Sequence, residues 1–200
     1  PDDDRWTAFV GGTRMAFISV QADEAEYYTK IESKQEQTEL AQSLPSVGDS
    51  SKSNKREAET VARLVHTLCQ LHSRSGIPFS PCKQIGIIVP FRAQIAMIRK
   101  ALAERHIPDT ADITIDTVER YQGSQRDIII FSTTVSHPYQ LSILSEPIMT
   151  DGREIDRKLN VALTRARKQF FMTGNETLLR NCTAYREFLD FLSKEQILRL

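Results

Sequence analysis

Gln84 to Val89 is an almost unbroken apolar run, QIGIIV, closed by Pro90. A strand with apolar side chains at consecutive positions offers both faces to a core. A sheet covered on both sides by helices can bury it. The following residues meet that demand: from Phe91 to Arg105, Ile95, Ile98, Ala101 and Leu102 recur at helical spacing. Strand, turn and helix in that order make half of a parallel βαβ unit. A still more apolar run, Ile128 to Thr134, is expected at the centre of the same sheet. Ile113 to Thr117 supplies a shorter strand with Ile113 and Ile115 on one face, and Met15 to Val20 another after a Gly11-Gly12 turn. The expected architecture is α/β: three layers, with a mostly parallel sheet flanked by helices.

The rest of the chain is read around that sheet as one domain spanning residues 1–200. Asn54 is placed to cap a helix, with Glu57 as its capping-box partner; Ala58, Val61, Ala62, Val65, Leu68 and Cys69 then share one face up to the break at Gly76-Ile77-Pro78. Asp116 and Glu119 have capping-box spacing over a short turn. Residues 29–53 are rich in Lys, Glu, Gln and Ser and have little to bury, so they read as a flexible insertion. His137 to Gly152, with Pro138, Pro147 and Asp151-Gly152, reads as a loop, and residues 176–200 as one or two terminal helices. The opening PDDDRW reads as the interior of a longer protein.

Composition narrows the chemistry. Lys plus Arg and Asp plus Glu both number 26, so the formal charge is zero and general attraction to a polyanion is absent. Basic contacts would have to come from a local patch, with Arg120, Arg126 and the 137–152 loop as candidates. The 3 cysteines, Cys69, Cys82 and Cys182, are scattered and odd in number; they suggest neither a disulfide framework nor a zinc cluster but a reducing compartment, cytoplasm or nucleus. No metal site is expected, and no apolar run is long enough to span a membrane.

Asp156 to Asn175, DRKLNVALTRARKQFFMTGN, reads as a helix followed by a strand. Ile155, Leu159, Ala162, Leu163 and Ala166 form its apolar face. Lys158 and Arg165 share one flank, and Asn160 and Arg167 the opposite one. That periodicity alone favours a solvated basic helix. The string LNVALTRAR, however, resembles motif VI of superfamily 1 helicases, closest to branch 1B, which includes the nonsense-mediated-decay RNA helicase and related DNA helicases. SNKREAETVARLV and VPFRAQ resemble the helix opening and motif IV of that family, and TIDTVERYQGSQRDIIIFS resembles motif V. Three motifs in the family's order make coincidence a poor account.

The resemblance implies the second of two RecA-like domains of an ATP-dependent motor that moves along single-stranded nucleic acid, usually 5′ to 3′. It implies that Arg165 is the arginine finger on the γ-phosphate, a role suited to a guanidinium that forks onto phosphate oxygens. Arg167, on another flank, is not given that role. Phe91 takes the aromatic place near the nucleotide base, with Arg92 and Gln94 lining the cleft. Thr117, Gln122 and Gly123 match motif V, which touches both nucleotide and strand backbone. Thr117 is therefore also assigned, with Arg120 and Arg126, to the nucleic acid. Gln125 stands where many relatives have glutamate; an amide still accepts a hydroxyl hydrogen bond but lacks the charge. No G-x-x-x-x-G-K-[ST] loop occurs in the chain, so ATP with Mg is expected to be held mainly by the first RecA-like domain, which is the expected intramolecular partner. The single strand is taken as DNA in preference to RNA. The alternative from another class is a RecA-like binding module, for nucleic acid or protein, that has lost motor function.

Overall fold

The computed structural model describes residues 4–21, 52–121 and 124–200. In chain order they form α1 (Asp4–Gly12), β1 (Met15–Ser19), α2 (Lys55–Ser75), α3 (Pro81–Gln84), β2 (Ile85–Val89), α4 (Arg92–Glu104), β3 (Thr114–Thr117) and β4 (Arg126–Ser132). A 3-10 turn (Pro138–Gln140), α5 (Leu141–Leu144), β5 (Pro147–Thr150), β6 (Arg153–Asp156), α6 (Arg157–Thr164), β7 (Ala166–Gly174), α7 (Glu176–Leu179), α8 (Thr183–Phe191) and β8 (Ile197–Arg199) follow. Six strands make one sheet in the order β3-β2-β4-β7-β1-β8, and every pairing in it is parallel.

Both faces of that sheet are buried, as the unbroken apolar runs require. Ile85, Ile87, Val89, Ile128 and Ile130 point into a core shared with Ala58, Val61, Val65, Leu68 of α2 and Ile98, Leu102 of α4. Their neighbours Ile88, Ile129 and Phe131 point the other way, into a core shared with Leu159 and Ala162 of α6 and with Phe188 and Leu189 of α8. The period-two alternation of a strand sorts the run between two helix layers. Trp6 docks α1 onto α2: its Nε1 donates to Thr67 Oγ1 at 2.7 Å, and the Arg63 guanidinium lies 4.1 Å above the ring centre. The sheet and its two helix layers are the α/β three-layer arrangement, consistent with a RecA-like fold.

Several expectations need correction. Residues 137–152 are not a featureless loop: they hold the 3-10 turn, α5 and β5, which pairs antiparallel with β6. The terminal segment is not wholly helical, because Ile197–Arg199 pairs with β1 and closes its otherwise open edge. Helix α6 stops at Thr164, so Arg167 lies in β7 and not on a helical flank. Residues 29–51 of the expected insertion, with Gln122 and Gly123, lie outside the described residues. Among the described residues no helix is long and apolar enough to cross a membrane.

Candidate functional site

Parallel strands bring all their amino ends to one edge of the sheet and all their carboxyl ends to the other. The two edges are about 20 Å apart, the length of the seven-residue β4 at about 3.3 Å per residue. The described residues among those singled out by sequence fall into two groups, one on each edge.

At the amino edge, α6 delivers Arg165. Asp156 caps the helix: its Oδ1 accepts from the Leu159 amide at 2.7 Å, while Oδ2 accepts from Ser145 Oγ at 2.8 Å and the Glu146 amide at 2.7 Å. At the far end Arg165 is the C-cap residue, and its carbonyl accepts from the Arg126 amide at 3.0 Å, which ties the helix end to the start of β4. The Arg165 Nε is buried and has no hydrogen-bond partner among the described residues; the Arg126 Nε is in the same condition. The remaining guanidinium nitrogens of Arg126 are engaged, Nη1 with the Gln125 carbonyl at 2.9 Å and Nη2 with Thr114 Oγ1 at 3.1 Å.

The β4–β7 register shifts at this point. Arg126 faces Ala166 but Ile128 faces Gln169, so two steps on β4 match three on β7. The extra residue is a bulge at Arg167–Lys168, and it turns both side chains outward where strict alternation would separate them. Arg167 Nε donates to Gln125 Oε1 at 3.3 Å, and Lys168 Nζ donates to Asp127 Oδ2 at 2.8 Å. The Lys168 hydrogen bond holds the Asp127 carboxyl below its ordinary range, burial acting weakly against it. Arg165, Arg126, Arg167 and Gln125 thus share one edge with an excess of positive charge, a donor set that suits a polyphosphate.

The carboxyl edge holds the others. Arg92 and Arg120 are exposed there. Thr117 is 7% exposed and its carbonyl accepts from the amides of Arg120 and Tyr121, closing the turn after β3. Phe91, at the start of α4, is 5% exposed and is part of the packing at that helix end. Gln94 is fully buried: its Oε1 accepts from the Asn54 amide at 2.8 Å, and its Nε2 donates to the Asn54 carbonyl at 3.1 Å and Ser132 Oγ at 3.4 Å. A ligand reaches that amide only if the network opens.

Glu57 is the residue that sequence reasoning gave a different task. Asn54 does cap α2, accepting from the Glu57 amide at 3.0 Å. The Glu57 side chain does not return to Asn54, because Gln94 has taken that amide. It points inward, fully buried, and accepts from Ser132 Oγ (2.8 Å), Thr173 Oγ1 (2.8 Å) and the Thr134 amide (3.0 Å). Burial pushes its pKa up to about 7 against the pull of those donors. Thr134 sits at φ 64°, a conformation that branched residues rarely adopt, and the Glu57 carboxyl is what receives its amide there. The run N-x-x-E signalled a cap; nothing in it signalled a carboxyl bound to two strand ends.

Tyr121, after β3, lies over Gly86, where a Cβ would meet the phenol carbon Cζ at 2.7 Å. Helix α6 passes from one edge to the other. Lys158 in its first turn pairs with Glu119 at 3.4 Å and donates to the Ile143 carbonyl at 2.7 Å, and Arg165 marks its other end.

Comparison with known proteins agrees with this architecture. Residues 11–177 match the family model described as AAA domain. A protein of Gallus gallus named as a helicase, MOV-10, is 33% identical over 147 residues, 71% of this chain and 15% of that protein. The DNA replication ATP-dependent helicase/nuclease DNA2 of Mus musculus is 31% identical over 139 residues, 70% of this chain and 12% of its own length. A protein of Drosophila melanogaster named as an RNA helicase, armi, is 33% identical over 117 residues, 56% of this chain and 9% of its own. The chain therefore spans less than a sixth of the length of these relatives. With the family matched over most of its length and motifs IV, V and VI on one parallel sheet, the chain belongs to the AAA-domain family and is a RecA-like domain of the superfamily 1 helicases that include the nonsense-mediated-decay helicase.

Proposed function

We propose that the chain is the second RecA-like half of an ATP-dependent helicase that translocates on single-stranded nucleic acid, with the nucleotide at its amino edge and the strand at its carboxyl edge. The observation that carries this reading is Arg165: a guanidinium tied down through its own backbone, with a buried Nε left without a partner among the described residues. Such a group is held ready for an anion that arrives from outside the domain. ATP bound with Mg on the first domain supplies the phosphoryl group. Arg165 places positive charge where negative charge grows on the phosphate oxygens, and Gln125 stands beside it with Gln122 and Gly123 next along the chain.

On this reading Thr117, Arg120 and Arg92 meet the strand, and Phe91 and Gln94 position that edge instead of holding the base. Arg126 belongs with Arg165 on the nucleotide side. Helix α6, with Lys158 in its first turn and Arg165 at its end, gives the edges a mechanical link, so nucleotide state and grip on the strand are coupled. Relatives named for RNA and for DNA both match, so single strands of either kind are substrates in this reading. Arg165→Ala in the two-domain protein is expected to leave folding and strand binding in place and to slow ATP hydrolysis by about 10³-fold, the scale of an arginine finger. Arg167→Ala, which loses only an exposed contact to Gln125, is expected to do much less. Equal effects of the two would move the finger role off Arg165, and full turnover in Arg165→Ala would favour a binding module without a motor.

A further inference from the structure

After β4 the chain leaves the sheet at Ser132, turns at Thr134 and enters a short, tightly held bend. Gln140, 1% exposed, fastens it: its Oε1 accepts from the Ser136 amide at 2.7 Å and from the His137 amide at 2.8 Å. Pro138 fixes the backbone between them. Thr134 at the root of the bend is held by the buried Glu57 carboxyl. So much internal hydrogen bonding makes the bend rigid, yet its most conspicuous side chain is not buried. Tyr139 is 54% exposed and lies parallel to the His137 ring, with centroids 5.6 Å apart and 10° between the planes.

The bend sits on the carboxyl edge. Lys158 joins α5, which follows the bend directly, to the turn after β3 through the Ile143 carbonyl and Glu119. That turn carries Thr117 and Arg120, the residues assigned to the strand backbone. A flat aromatic pair on the same edge as backbone-binding groups is an arrangement by which proteins hold unpaired bases, since every base has a π-face to stack. A rigid bend adds to this because little conformational freedom is lost when a base docks.

We propose that the His137–Tyr139 pair is a base-stacking subsite for single-stranded nucleic acid, with Tyr139 as the contacting ring and His137 as its support. The proposal rests on the helicase reading and deepens it: the domain would hold bases as well as backbone, without reading their sequence. A ring facing a protein partner is the competing use of the same surface.

The test titrates this chain with a fluorescently labelled oligodeoxythymidylate and with an abasic strand of the same length and charge. The unaltered chain is expected to prefer the base-bearing strand by about tenfold, the scale of one stacked base. Tyr139→Ala should abolish that preference while binding the abasic strand as before, and Tyr139→Phe should keep it. A thermal midpoint shared by Tyr139→Ala and the unaltered chain excludes a folding defect. If Tyr139→Ala weakens both strands equally, or neither, stacking is overturned and the protein-facing use of the ring gains; the helicase reading survives on its backbone contacts. If the unaltered chain binds neither strand at any attainable concentration, the subsite is overturned, and Arg165→Ala in the two-domain protein separately decides the helicase reading.

Discussion

Glu57 has no route to water, so its donors and its burial compete over its charge. In the folded chain burial wins to the extent that the proton is kept up to a pH of about 7, against a usual value of 4.5. Between those values the folded state binds more protons than the unfolded state, so this group makes stability fall as pH rises. Its contribution is complete below about pH 4.5 and lost once pH passes about 7, a change on the order of 3 kcal/mol. Glu57→Gln, which keeps the shape without the charge, should remove that slope. Urea unfolding of both proteins from pH 5 to pH 8 measures it: the difference in stability should move in favour of the variant as pH rises. A difference that stays constant would mean that Ser132, Thr134 and Thr173 already hold an ionised carboxylate in the folded chain. At the amino edge Gln125 is the uncharged counterpart: its amide oxygen accepts from Arg167 without a carboxylate's charge.

At the scale of elements, α6 is short, eight residues, and depends on what holds its ends. An isolated helix of that length is marginal in water. Asp156, 2% exposed, satisfies one helix amide and also binds Ser145 and the Glu146 amide, so it joins α6 to the end of α5. Asp156→Ala leaves one buried and two half-buried donors without their acceptor and is expected to destabilise the domain by about 2 kcal/mol. Glu146→Ala, which breaks a half-exposed pair with Arg157, should cost well under 1 kcal/mol, at about the level of surface ion pairs. Chemical denaturation of the two variants checks the order, and a larger loss in Glu146→Ala would mean that the cap is not what fixes α6. Because Arg165 ends this helix, Asp156 also sets the position of the proposed finger from the opposite edge of the sheet.

For the whole molecule, the proposed function puts nucleotide and strand on opposite edges of the sheet, with α6 between them. The chain has no phosphate-binding glycine loop with its lysine, so in the proposed function the amino edge completes a nucleotide site built by another domain. This chain by itself is therefore expected to hydrolyse no ATP. A phosphate-release assay on the purified chain tests this, and turnover above the buffer that survives Arg165→Ala would place a complete active site within these residues. With a formal charge of zero, strand affinity rests on a few local contacts and should fall only gently with salt.

The sequence by itself determined the layers. Consecutive apolar residues in β2 and β4 require cover on two faces, and the helical spacing in α2, α4 and α6 supplies it, so the α/β order follows from local pattern alone. The motif strings likewise carried the helicase family, since they are local. The edge on which each motif residue stands was decided only in three dimensions. Phe91 and Arg126 lie 35 positions apart, and their assignment to opposite edges depends on which end of a strand each one flanks. The same holds for Glu57, whose partners at Ser132, Thr134 and Thr173 are more than 70 residues away. It also holds for β8, whose three residues become a strand because β1 offers an open edge. Propensity and periodicity describe a residue's near neighbours; burial and hydrogen-bond pairing between distant segments are set by packing, and packing put a capping glutamate into the core.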